Sequence, residues 1–114
     1  MLKASAVELL QRLVDPRSAK AAAGERFIEA FRHGSLIVEL YAPRGHDAQT
    51  PHTRDEVYFV LSGSGEFMHA GERRGFAVGD VLFVAAGVEH RFENFSDDLA
   101  AWVIFYGPEG GERA

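Results

Sequence analysis

An all-β fold, a sandwich or barrel preceded by one short helix, is predicted by three features of this chain. Turn signals recur at short intervals after Pro43: Gly45, Pro51, Gly63-Ser64-Gly65, Gly71, Gly75, Gly79, Gly87 and Ser96-Asp97-Asp98. The runs between them are short and rich in Val, Phe and Tyr, residues that suit a pleated, half-buried surface. Helical spacing is confined to the first residues, Ala4 to Val14. Short strands divided by Gly turns are the pattern of a closed or two-layered β domain. With 114 residues there is material for one core and not for two.

The elements follow in order. Ser5 can cap the helix and Glu8, three residues on, completes a capping box. Val7, Leu10 and Val14 fall on one side with Leu9 and Leu13 beside them, and Asp15-Pro16 ends the run. Ser18 to Gly24 is Ala-rich and reads as a loop or one helical turn. Strands are expected over Phe27 to Phe31 and Leu36 to Tyr41, with a turn at His33-Gly34-Ser35. In the second, Leu36, Val38 and Leu40 alternate with Ile37, Glu39 and Tyr41, so both faces are largely apolar and the strand should be internal to its sheet. Further strands are expected over Val57 to Leu61, Val81 to Val84 and Ala100 to Tyr106. The organisation is a helix and lead-in over 1–24, a β-barrel over 25–107 and a flexible polar tail over 108–114.

Composition excludes several function classes. A net charge of -5 without a long basic stripe argues against nucleic acid as a partner. The absence of cysteine removes disulfides, thiolate metal sites and a Cys nucleophile together. No apolar run reaches membrane-spanning length and the N-terminus lacks a signal-peptide core, so no membrane association and a cytoplasmic location are expected.

The chemistry concentrates between Gly45 and Asn94. His52 and Glu56 stand four apart ahead of one strand, and His90 follows two strands later. Two imidazoles and a carboxylate are a ligand set that borderline divalent metals prefer. His52, Glu56 and Gly63 form one motif, and Gly79, Gly87, His90 and Asn94 a second, with Ala85 where Pro is common. In order and separation these resemble the paired motifs of the cupin superfamily. That resemblance implies a double-stranded β-helix, or jelly-roll barrel, over about half the chain. It also implies a metal site of His52, Glu56 and His90, and a homodimer, a pairing that would also cover exposed strand edges. The family's usual first His ligand falls at Thr50, so one member of the common three-His, one-Glu set is missing.

In an extended strand His52 and Glu56 would lie about 13 Å apart, too far for ligand bonds of about 2 Å. The chain must therefore bend, and Thr53-Arg54-Asp55 is polar enough to do so. His46 or Gln49 can replace the missing ligand only if the loop folds back or Pro51 introduces a bulge, and His46 is slightly preferred. The cofactor expected is one divalent ion: Fe, Mn, Ni or Zn. Strand parity puts Tyr58 and Val60 with Glu56, and Phe92 and Asn94 with His90. Together with Thr50, Met68, Phe83 and Trp102 they are expected to line a small apolar pocket, with Ile104 and Tyr106 beside Trp102. Arg44, Arg54 or Arg91 can attract an anionic ligand at its rim. A simpler structural account exists for each ligand: His52 can bond a backbone carbonyl, Glu56 can pair with Arg54 or Arg91, and His90 can be a satisfied buried imidazole. Two functions remain open: a metal-dependent enzyme (dioxygenase, isomerase or lyase) on a small organic substrate, or a non-catalytic barrel binding a small molecule or a partner. No catalytic residue is assigned.

Overall fold

A computed structural model describes residues 3–13, 26–47 and 49–113. The chain order is α1 (Ala6–Leu13), β1 (Phe27–His33), β2 (Leu36–Tyr41), β3 (Asp55–Ser62), β4 (Gly65–His69), β5 (Glu72–Phe76), β6 (Val81–Val84), β7 (His90–Glu93) and β8 (Ala100–Tyr106). Val14, the Asp15-Pro16 stop and the Ser18 to Gly24 segment lie outside the described residues.

Ser5 starts the helix as its spacing predicts. Its hydroxyl accepts the Glu8 N–H at 3.3 Å, and its carbonyl accepts the Leu9 N–H at 3.0 Å. The face turned to the protein differs from the expected one: Leu9 and Leu13 are buried, while Val7 is 66% exposed. Leu13 packs with Ala42 and Ala100, flanked by Leu10 and Ile28, so the helix sits on β1 and β2.

The strands form two antiparallel sheets, one of five strands in the order β1-β2-β8-β3-β6 and one of three in the order β5-β4-β7. This is a jelly-roll architecture in which no strand pairing joins the two sheets among the described residues. As its two apolar faces predict, β2 is internal, flanked by β1 and β8. Between the sheets lie Tyr58, Val60, Phe67, Phe76, Val84, Phe92, Leu99, Ala101 and Val103. The rings of Phe67 and Tyr58 pack on Phe92 at 5.0 Å each and that of Phe76 at 5.2 Å. A fully buried side chain of this size contributes about 1.5–3 kcal/mol, so this cluster dominates the stability of the layer contact.

Register fixes which residues face inward. Glu56 lies opposite Val84 and Phe105, and Tyr58 opposite Leu82 and Val103. The alternate row, Val57 with Phe83 and Ile104 and Phe59 with Val81 and Trp102, therefore faces out. Phe83 is 53% exposed and Phe59 41%. The expectation that Phe83, Trp102, Ile104 and Tyr106 line an inner wall is thus corrected. In β8 the inward residues are Ala101, Val103 and Phe105. Every residue of β8 is apolar or aromatic, so period-two alternation carried no sign of its parity.

Gly63 and Gly65 draw the sheets together at the β3–β4 turn. A Cβ on either would meet backbone at 2.7 Å, that of Leu99 or of Phe95, and both have positive φ. The C-terminal segment, expected to fray, is instead tied down. The Gly110 N–H donates to the Thr53 carbonyl at 2.7 Å and the Glu112 N–H to the Asp55 carboxylate at 2.8 Å. No helix among the described residues is long and apolar enough to cross a membrane.

Candidate metal centre

Glu56 is the second residue of β3 and its inward parity aims its carboxylate between the sheets. His90 opens β7, opposite His69 on β4, and points into the same space. His52 precedes β3, and the bend that brings it back falls at Thr53 and Arg54. The loops carrying the two histidines are stitched together. The His52 carbonyl accepts the Gly87 N–H at 2.7 Å, and an Asp55 carboxylate oxygen accepts the Ala86 N–H at 2.9 Å. Gly87, at φ +81°, gives that turn a conformation that other residues rarely adopt.

The potential ligand atoms of His52, Glu56 and His90 all lie within 4.8 Å of one another. His90 Nε2 is 2.7 Å from Glu56 Oε1, and His52 Nε2 is 3.7 Å from the same oxygen. With bonds of about 2.1 Å, adjacent donors on one metal sit roughly 3.0–3.4 Å apart, so these separations bracket a coordination edge. The side chains of Glu56 and His90 are almost fully buried, at 1% and 0% exposure, and that of His52 is 34% exposed.

The decisive observation is what these atoms lack. Glu56 Oε1 and Oε2 and His90 Nε2 are buried without any aligned hydrogen bond, although His90 and Glu56 are in ion-pair range. An unpaired buried carboxylate is costly, and a cation placed among these atoms would satisfy all three. The His90 Nδ1–H donates to the Val88 carbonyl at 2.9 Å. With Nδ1 so engaged, Nε2 is the ring atom turned to Glu56 and the site, the outer arrangement typical of a metal-bound imidazole. The residues fit a divalent ion. Burial opposes the charged imidazolium, but the Glu56 carboxylate and the Val88 carbonyl outweigh it and hold His90 above the usual histidine range.

Residues 37–106 match the cupin domain family. This chain is a cupin. An uncharacterized protein of Streptomyces coelicolor is 38% identical over 100 residues, covering 86% of this chain and 95% of that one. A cupin 2 conserved barrel domain protein from Salinispora arenicola superposes with a TM-score of 0.62 at 19% identity, over 82% of this chain and 89% of that one. A protein from Thermus thermophilus reaches a TM-score of 0.64 at 22% identity, over 92% and 97%. Identities this low carry the cupin fold and nothing finer.

Beside the centre, a cavity of about 680 Å³ opens to solvent, and Tyr41, Gln49, His52, Val103 and Phe105 are among the residues lining it. The Phe105 ring meets the His52 ring edge-on at 4.9 Å. Arg26, Arg44 and Arg54 also line this space, whereas Arg91 is elsewhere, paired with Glu93 and Glu89. Of the residues assigned to a pocket from parity, Tyr58, Val60, Met68 and Phe92 are buried core. Thr50 is exposed, and Asn94, at φ +47°, turns outward to donate to Glu66 at 2.8 Å.

Of the two residues weighed for the missing ligand, His46 is exposed and lies outside the His52–Glu56–His90 group. Gln49 reaches inward: its Oε1 is 3.3 Å from His52 Nε2 and accepts the Tyr58 hydroxyl at 2.8 Å. Sequence reasoning missed Asp47, which is 7% exposed and accepts from the Tyr41 hydroxyl, the Gln49 backbone and side-chain N–H groups, and the Phe92 N–H. A polar residue in a Gly- and Pro-rich loop gives no sign of such burial; the only clue was an Asp two residues before a Gln.

Proposed function

We propose that this cupin holds one divalent metal ion on His52, Glu56 and His90 and presents it to a small organic molecule in the adjoining cavity. The three buried donor atoms of Glu56 and His90, none with an aligned hydrogen bond, carry this reading. When bound, such an ion supplies Lewis-acid polarisation or, if it is iron, oxygen activation. The chain's own residues do the rest. Glu56 and His90 form the closed floor, while the aromatic cluster of Tyr58, Phe67 and Phe92 keeps water from reaching them from behind. His52, partly exposed, forms the lip facing the cavity, so a ligand approaches from its side. Burial and the nearby Glu56 carboxylate push the Tyr58 hydroxyl well above its ordinary range, so it stays a proton-bearing donor. An isomerase, lyase or dioxygenase acting on a small substrate is the enzyme class that such a site suits.

The rival reading is a metal-free barrel that binds a small ligand, favoured by the 2.7 Å approach of His90 to Glu56. Elemental analysis of purified protein separates the two. Metal near one per chain, lost in His90→Ala and depleted in His52→Ala, is expected. Sub-stoichiometric metal that survives both changes would leave the ligand-binding barrel.

A further inference from the structure

We infer that Gln49 is a fourth, neutral donor of this centre and that Asp47 is the positioning residue that aims it. The inference rests on the metal-centre reading. It arises because the position where a cupin's first His commonly stands, Thr50, is exposed, while its neighbour turns inward.

A glutamine side chain has one accepting end and one donating end, and which of them faces a site decides what it can do there. Here the neighbours settle the orientation. Asp47 Oδ2 is a carboxylate oxygen, able only to accept, and it lies 2.7 Å from Gln49 Nε2. The NH2 group must therefore face Asp47. The carbonyl is left facing the Tyr58 hydroxyl at 2.8 Å and His52 Nε2 at 3.3 Å. The latter separation is that of neighbouring ligands on one ion, roughly 3.0–3.4 Å for bonds of about 2.1 Å. In the metal-free chain the contact is a donation from the His52 Nε2–H to the carbonyl; loading a metal removes that proton and leaves two converging lone pairs.

Asp47 is itself fixed on every side. Its Oδ1 accepts from the Tyr41 hydroxyl and from the Gln49 backbone N–H at 3.2 Å. Its Oδ2 also accepts the Phe92 N–H at 2.9 Å. Phe92 is two residues beyond His90 on β7, an edge of the smaller sheet, and Tyr41 ends β2 of the larger one. One carboxylate thus bridges the seam between the sheets and ties the loop bearing Gln49 to the strand bearing His90. A donor set of two imidazoles, one amide carbonyl and one carboxylate leaves a divalent centre with a net positive charge, suited to an anionic or enolisable oxygen ligand.

The test uses Co2+ alone, with affinity measured by chelator competition and the site followed by the visible absorption of the bound ion. Gln49→Ala is expected to weaken binding about 10- to 100-fold and to change the absorption spectrum. Asp47→Asn is expected to weaken it about tenfold. Asp47→Asn should shift the spectrum in the same sense as Gln49→Ala, and the double variant Asp47→Asn/Gln49→Ala should bind no more weakly than Gln49→Ala alone, because Asp47 acts through Gln49. Losses that add in the double variant would overturn the positioning role and leave Asp47 merely structural. Equal affinity and an unchanged spectrum in Gln49→Ala would overturn the inference while leaving the three-residue centre intact. Failure of the native protein to bind Co2+ would instead remove the centre itself, and this inference with it.

Discussion

The two halves of the candidate metal centre are built by different means. Glu56 sits inside a ladder, with Val84 on one side and Phe105 on the other, and His90 is paired across to His69. Backbone hydrogen bonds hold both, and both are sealed from solvent. His52 and Gln49 lie on a connection outside the strand ladders, and side-chain and turn contacts place them: the Gly87 N–H on the His52 carbonyl, Asp47 and Tyr58 on Gln49, and Asp55 on the turn at Ala86. Where the sheet stops, two buried carboxylates take over its positioning role. The strand half should therefore be rigid and indispensable, and the loop half adjustable.

The largest effect should come from breaking the strand half. His90→Ala and Glu56→Ala should each abolish metal binding, a loss beyond about 100-fold, whereas His52→Ala should cost about 10- to 100-fold. Titration calorimetry with one divalent metal would show it, and equal losses in all three would erase the contrast. Next, Glu56→Gln should destabilise the metal-free protein by about 1–3 kcal/mol, because His90, held above its usual range by that carboxylate, loses a buried charged partner. Urea unfolding in the presence of a chelator would measure this, and a gain of stability would instead mark Glu56 as a carboxylate buried at a net cost.

A smaller effect belongs to the loop half. Asp55→Asn weakens the acceptors of the Ala86 and Glu112 N–H groups, and should lower the melting temperature by a few degrees while loosening residues 108–113 to proteolysis. The smallest change is expected at Glu93→Gln, on the outer surface. Arg73, and after it Arg91, hold the Glu93 carboxyl below its usual range. A depressed carboxyl pKa stabilises the fold above the ordinary value of about 4, and that contribution disappears as pH falls through the folded-state value. The variant should melt slightly below the native protein at neutral pH and match it in acid, with metal affinity unchanged.

The same division governs what the sequence could reveal. Glu56, His90 and the turn glycines Gly63 and Gly87 are legible because spacing along strands and turns is rigid. The bend between His52 and Glu56 follows from distance alone. The wall of the cavity is not legible. β8 and the outward row of β3 and β6 are apolar on both faces, so the period that normally tells inside from outside is silent. That is why Trp102 and Phe83 were expected where Val103 and Phe105 stand. Asp47 and Gln49 were obscure for another reason. Their orientation depends on partners at positions 41, 58 and 92, contacts that no local pattern encodes.

The inward turn at position 49 has a consequence for reading related chains. Aligned column by column, this protein is one ligand short, because position 50 holds threonine. In space the adjacent residue turns inward, its carbonyl oxygen 3.3 Å from His52 Nε2, while Thr50 is exposed and a histidine restored there would face solvent. Whether a barrel of this kind has kept its inorganic chemistry is therefore better judged by which side chain an acidic neighbour turns inward than by which letter occupies the expected column.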